Sequence, residues 1–357
     1  ISVLKQSVSA WLISIGCPAF LTGLLCDVGI QSFAYIVQML GFVFGVTLVF
    51  GLLEEVGVMA RISYVFDNTM CKLGLQGKSV MPFLVSFGCT MGGAAGARVI
   101  DNWGQKVLTI ALAWAVPCGA AWAIIPMLSA TFFGVWSPLI ITVLLITMLL
   151  HIWVTAKIFG PGLVKEADRL GMIMELPPYH KPKWGALFRY VFGRTKDTFF
   201  RVAKVVTLVC LLFWLLSYSV GSAEDSLLCK FGMLIEPITK FFGMSWQLFM
   251  AFVASSIGKE GAIGVISALY TGSGSLYAAT SSAAAANINE ILLTNISRPE
   301  ALAFIFAVTF NVPCVVALAA TYQEIHSVKW TLRIAAYYTV TALLLSFAAY
   351  HIGMFIW

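Results

Sequence analysis

Charge is scarce in this chain. Only 11% of its 357 residues are charged while 60% are hydrophobic, against roughly 25% charged in a soluble domain. That balance is incompatible with a solvated globular domain. The eight cysteines, at positions 17, 26, 71, 89, 118, 210, 229 and 314, include no C-x-x-C pair, which excludes a zinc-ribbon or thioredoxin-type site. Disulfides are not expected either, because most of these residues fall in apolar runs. The P-loop pattern G-x-x-x-x-G-K-[ST] is missing, so no nucleotide chemistry can be assigned to these residues. No H-E-x-x-H site and no nucleophile beside a base supports a membrane-embedded enzyme. Histidine is limited to His151, His180, His326 and His351, each read as interfacial or solvent-exposed rather than as a ligand.

What the chain has is long charge-free sequence, repeatedly of bilayer-spanning length. Such runs extend from Val28 to Leu53 and from Val107 to Ala156, the second long enough for two helices turning at Gly134-Val135-Trp136-Ser137-Pro138. Others run from Val205 to Ala223, from Phe241 to Tyr270 with an interruption at Lys259-Glu260, from Ala301 to Gln323, and from Ile334 to Trp357. The pattern predicts an all-α polytopic membrane protein with six or seven crossings. Gln6 to Cys26 suits a span or an interfacial helix, given Pro18 and its polar residues. Ser79 to Ala97 holds Gly88, Gly92, Gly93 and Gly96 between Lys78 and Arg98; a re-entrant hairpin keeps both cations on one side.

The net charge of +6 is uneven, since ten of the 22 Lys and Arg residues lie between Lys157 and Lys204. With Pro177-Pro178 and Pro182 this segment reads as one large cytoplasmic loop, with anionic lipid headgroups as its partner. Nucleic acid is not a partner, because the basic residues abut spans and carry no RNA- or DNA-binding motif. Counting outward puts Leu53 and Val107 on the cytoplasmic side and Ile1 outside, while the orientation of the C-terminal half stays open. The first residue is Ile1 rather than methionine, with no charged n-region, so a fragment with something missing upstream is expected.

Two constellations carry chemistry. Val116-Pro117-Cys118 and Val312-Pro313-Cys314 place a thiol beside a proline that frees a backbone carbonyl, and Cys89 follows Gly88. Unwound backbone at membrane depth survives only where it is buried in protein or lines a cavity, so Gly88, Pro117 and Pro313 mark irregular helices near a pathway. The second constellation is intramembrane charge: Glu54 and Glu55 end an apolar run, and Lys259-Glu260 interrupts another. Such charges cost about 2.5–3.5 kcal/mol each on insertion scales and normally pair or face water. The halves also form a weak repeat, in which Glu55-Val56-Gly57-Val58 leads to the first Val-Pro-Cys and Glu260-Gly261-Ala262-Ile263-Gly264-Val265 to the second.

Leu52-Leu53-Glu54-Glu55-Val56-Gly57-Val58-Met59-Ala60-Arg61, Gly74-Leu75-Gln76-Gly77-Lys78-Ser79, Phe87-Gly88-Cys89, Glu175-Leu176-Pro177-Pro178-Tyr179, Lys259-Glu260 and Val312-Pro313-Cys314-Val315-Val316-Ala317-Leu318-Ala319-Ala320 resemble, in order, the membrane domain of the bacterial ferrous iron transporter FeoB. The resemblance implies uptake of Fe(II) across the bacterial inner membrane, gated by an N-terminal GTPase domain that is absent here, as is the family's first transmembrane helix. It implies two gate-type helical repeats with broken or re-entrant helices. Residues 1–27 then form an interfacial or partial helix, 28–156 the first gate repeat, 157–204 the basic cytoplasmic loop, and 205–357 the second gate repeat with the C-terminal helices. No cofactor is expected to stay bound: Fe(II) is cargo, GTP acts only through the missing domain, and the chain is not itself an enzyme. Partners are the GTPase domain and membrane lipids, and a homo-oligomer is admitted.

One departure stands out. The family's motif continues from Gly-Cys through Asn to a Pro-Ala pair, whereas this chain reads Gly88-Cys89-Thr90-Met91-Gly92-Gly93-Ala94 and then Ala97-Arg98. Met91 can supply a thioether where the amide is lost, which bears on metal selectivity. Fe(II) accepts thiolate, carboxylate and carbonyl oxygen. The expected path therefore uses Cys89 and Cys118 from the first gate, Cys314 from the second, and Glu260 with Glu54 or Glu55. Lys259, Arg98 and Arg61 serve gating or charge pairing. The other reading is a gate-type carrier for a nucleoside or small solute, with the glycines and Asn311 binding polar groups.

Overall fold

The computed structural model describes residues 24–72, 74–164, 181–217, 227–259, 261–271 and 292–356, together with 7–8, 11, 14, 21–22 and 179. Among them are fourteen α-helices and no strand, as the all-α fold class requires. In chain order they are α1 (Gln31–Glu55), α2 (Val58–Lys72), α3 (Val80–Gly88), α4 (Thr90–Gly96), α5 (Trp103–Trp114), α6 (Gly119–Phe133), α7 (Ser137–Leu163), α8 (Trp184–Ser217), α9 (Leu227–Phe241), α10 (Trp246–Ser255), α11 (Gly261–Thr271), α12 (Arg298–Phe310), α13 (Val315–Ile325) and α14 (Val328–Ile356).

Breaks rather than lengths organise this fold. α1 and α2 meet at 83° across Val56-Gly57, where Gly57 has a φ of 86° that side-chain-bearing residues rarely adopt. Gly88 ends α3, Cys89 is extended, and α4 packs back onto α3, giving the hairpin expected between Lys78 and Arg98. α5 and α12 each run into a Val-Pro-Cys segment and resume as α6 and α13. Proline removes a backbone donor and its ring crowds the preceding turn, so neither helix can continue.

Among the described residues, three continuous runs are long and apolar enough to cross a bilayer: Trp103–Leu163, Arg298–Ile325 and Val328–Ile356, with the bent pair α1/α2 a fourth if counted as one span. This is fewer than the expected six or seven crossings. Part of the run from Val205 to Ala223 lies outside the described residues, and α10 and α11, at 10 and 11 residues, are each too short to cross alone. Trp103–Leu163 spans 61 residues, about 90 Å if straight against a core of about 30 Å. It is not straight: Gly134, with φ 50°, turns the chain so that α7 packs on both α6 and α5.

The segment read as a basic loop is helical at both ends. Lys157 lies in the last turns of α7, and 184–204 form the first half of the 34-residue α8, which packs along α1. Arg189, Lys196 and Lys204 therefore stand exposed on a helix surface, and the apolar α1 is what holds that helix there.

The core is built on α5 and α12. All residues from Gly104 to Trp114 except Lys106 are buried, and all from Ala301 to Phe310, as befits helices surrounded on every side. Ser297 starts α12, its N–H and hydroxyl both donating to the Glu300 carboxylate (3.0 and 2.8 Å). Buried polar contacts pin the halves together: Tyr338 Oη donates to the Ala111 carbonyl (2.6 Å), and Trp114 Nε1 to Thr321 Oγ1 (3.1 Å). Tyr338→Phe leaves a buried carbonyl at the end of α5 without this donor. The expected cost is about 1–2 kcal/mol, read as a lower unfolding midpoint of the purified protein in detergent.

Candidate functional site

The three cysteines singled out by their breakers share one backbone position. Cys89, Cys118 and Cys314 are the N-cap residues of α4, α6 and α13, each with extended backbone, and all three carry thiols rather than disulfides. Their side chains do different things. Cys314 Sγ accepts from Ala317 N (3.2 Å) and packs against a small cluster of Val28, Ile36, Val206 and Val316. Cys118 packs against the edge of the main core. Cys89 lines a cavity of about 570 Å³.

That cavity lies where the α1/α2 break meets the α3/α4 hairpin. Glu54 lines it from the end of α1, and Met59, Met81 and Met91 add thioethers. Ser63 also lines it, with a buried hydroxyl that has no partner in the protein. Lys78, Arg98 and Arg194 contribute positive charge. Arg98 is drawn off by Glu324 (2.9 Å) and by the Ala95 carbonyl (2.9 Å), and Lys78 by Asp101 (3.5 Å). The Arg98–Glu324 pair ties the hairpin to α13.

The expected ligands are only partly brought together. Cys89 and Glu54 share the cavity, whereas Cys118 and Cys314 do not line it. Glu55 accepts from Lys183 N (2.8 Å) and lines a smaller cavity beside α8. Glu260 lies outside the described residues. Among the described residues no group of three or more His, Cys, Asp or Glu side chains could hold a metal ion. Met59 and Met81 were not among the expected residues. Their signal was available, one following the Gly57 break and the other preceding Pro82 in the hairpin.

The other two cations expected to gate or pair, Arg61 and Lys259, have definite partners. Arg61 Nη1 donates to the Gly57 carbonyl (3.1 Å), and its guanidinium lies 3.5 Å from the centre of the Tyr179 ring, which fastens the segment before α8 to the first break. Lys259, 3% exposed, donates to the carbonyls of Val308 and Asn311 at the end of α12. Asn311 is itself consumed by the fold. Its amide donates to Phe252 O (3.1 Å), Ser255 Oγ (3.1 Å) and Ser256 Oγ (2.8 Å), and its Oδ1 accepts from Val312 N (2.8 Å).

His151 departs from its expected place at an exposed span end. It is buried at 6% exposure, stacked on Tyr337 and edge-on to Phe310 and Tyr338. α12 and α14 cover that face of α7, and neither ring nitrogen has a hydrogen-bond partner. His326 and His351 are exposed, and His180 lies outside the described residues.

A profile described as Gate, nucleoside recognition, matches residues 36–132 and 199–328, well over half of the chain and one match in each half. The chain belongs to the Gate family. Within this Gate chain a second profile, described as ferrous iron transport protein B C terminus, matches residues 141–194. Curated relatives agree. The Fe(2+) transporter FeoB of Staphylococcus aureus strain COL is 29% identical over 312 residues, which is 85% of this chain and 45% of that protein. The FeoB of Salmonella typhimurium strain LT2 is 30% identical over 252 residues, 68% of this chain and 32% of that protein. The resemblance to the FeoB membrane domain is thus borne out, and the chain spans about half or less of the length of these relatives. No solved structure matches it.

Proposed function

We propose that this chain is the permease portion of a ferrous iron transporter of the bacterial inner membrane, gated by a GTPase portion of the full-length protein. One observation carries the reading: Cys89 and Glu54 line the same cavity at the first helix break, in a chain whose relatives are named Fe(2+) transporter FeoB. A thiolate, a carboxylate, thioethers and a hydroxyl suit a cation on the soft side of borderline. A cavity whose ligands do not close into a four-membered cage suits cargo that must leave again. Met91, standing after the Gly-Cys pair, lines the cavity, which supports a thioether in place of the family's amide. The helix breaks supply the two-state element that gating requires, and the Arg98–Glu324 pair carries a movement of the hairpin to α13.

The Gate description favours a second reading, a nucleoside carrier. It is the weaker one, because the Asn311 amide is already fully engaged within the protein. Reconstituting the full-length protein in vesicles with GTP and reductant separates the two. Ferrous iron uptake abolished by an Fe(II) chelator is the expected result. Nucleoside accumulation that is indifferent to the chelator would overturn the iron reading.

A further inference from the structure

The carbonyl groups at the end of α12 are short of backbone donors. In a regular helix the carbonyl of Val308 accepts from the N–H of residue 312, and that of Thr309 from residue 313. Here Val312 N turns instead to Asn311 Oδ1, and Pro313 has no N–H to offer. This break falls in the middle of the 28-residue run Arg298–Ile325, where unpartnered backbone is costly. Lys259 fills the gap from the α10/α11 break, its ammonium donating to the carbonyls of Val308 and Asn311. Asn311, held by three bonds from its amide to α10 and Ser256, fixes where those oxygens sit.

The first half resolves the same problem without charge. There the Ala115 N–H bonds to Leu112 O, and the carbonyl it leaves, that of Ala111, takes the neutral hydroxyl of Tyr338. In the repeat that aligns Glu55 with Glu260, the residue matching Lys259 is Glu54. The charged solution therefore belongs to the second half alone. Its oxygens lie at the negative end of a half-helix, an arrangement that coordinates cations in broken-helix transporters.

We infer that the end of α12 is a seat for a monovalent cation, which Lys259 occupies with its own tethered ammonium. A free alkali or alkylammonium ion takes the same carbonyl oxygens when that side chain is shortened. The carbonyls of Val308 and Asn311 offer oxygen rather than sulfur, so the ion is a hard one and differs in class from the cargo proposed for the Cys89 cavity. Filling the seat holds the α10/α11 break against the α12/α13 break, and vacating it lets them part.

The test is chemical rescue of the full-length protein in detergent. Lys259→Ala is melted in potassium chloride, in methylammonium chloride and in N-methylglucamine chloride at equal ionic strength. The variant is expected to melt about 3–8 °C higher in the two small cations than in N-methylglucamine, with the wild type indifferent. An identical response of variant and wild type would overturn the proposal. Lys259→Gln supplies a donor without the charge and is expected to fall below the wild type. A glutamine variant as stable as the wild type in N-methylglucamine would show that the position needs a donor and no cation, and the proposal would fail. If the alanine variant is not recoverable in any of the salts, the glutamine variant decides alone. Neither readout involves iron, so failure here leaves the permease reading untouched.

Discussion

Replacing Asn311 with alanine is expected to remove about 3–5 kcal/mol of stability, a larger loss than any single surface change in this chain. The residue is 2% exposed, and its amide closes four hydrogen bonds. Truncation leaves Val312 N and the Phe252 carbonyl without this partner in a water-poor interior, where each unsatisfied group costs about 1–3 kcal/mol. It also frees the carbonyl that Lys259 meets, so the two second-half breaks lose their common anchor. Unfolding of the purified protein in detergent measures the effect. A loss below about 1 kcal/mol would mean that the break does not depend on this side chain.

Gly93→Ala acts on the other half, through space rather than polarity. A Cβ on Gly93 would stand 1.8 Å from Ser86 Oγ and 2.6 Å from the Pro82 carbonyl. Rotating Ser86 relieves the first contact and does nothing for the second, because Pro82 O is backbone. The hairpin of α3 and α4 must therefore open, at the upper end of the about 1–3 kcal/mol typical of overpacking. Cys89 sits at the hinge of that hairpin, so the change is expected to abolish ferrous iron uptake and to alter the rate at which a maleimide labels Cys89. Unchanged labelling with normal uptake would show that the hairpin tolerates opening and that its glycine is not needed for the cavity.

The breaks were legible in the sequence because proline and glycine act locally. Pro117, Pro313, Gly57 and Gly88 each dictate what their own turn can do, whatever packs around it. The helical class and the pairing of the two halves followed from the same marks. Partners were not legible. Lys259 was expected to deal with a carboxylate or a passing cation, and its contacts to the carbonyls of Val308 and Asn311 were not foreseen. Backbone acceptors are everywhere in a sequence and stand out nowhere. His151 looked exposed because its burial is decided by α12 and α14, more than 140 residues later in the chain. The segment from 184 to 204 looked like a loop because its charge overshadowed the helix that α1 stabilises by packing. Met59 and Met81 read as apolar filler until the hairpin and the first break were brought to one cavity.

Cys89 is the point on which the proposed function turns. Ferrous iron uptake by the full-length protein in vesicles, with Cys89→Ser beside Cys71→Ser, a cysteine that does not line the cavity, tests it most directly. A hydroxyl is a poor replacement for a thiolate toward a borderline metal, so uptake is expected to fall about tenfold or more in Cys89→Ser, with the unfolding midpoint preserved and Cys71→Ser transporting normally. Full uptake by Cys89→Ser would contradict the assignment of the cavity at the first break as the path of the ion.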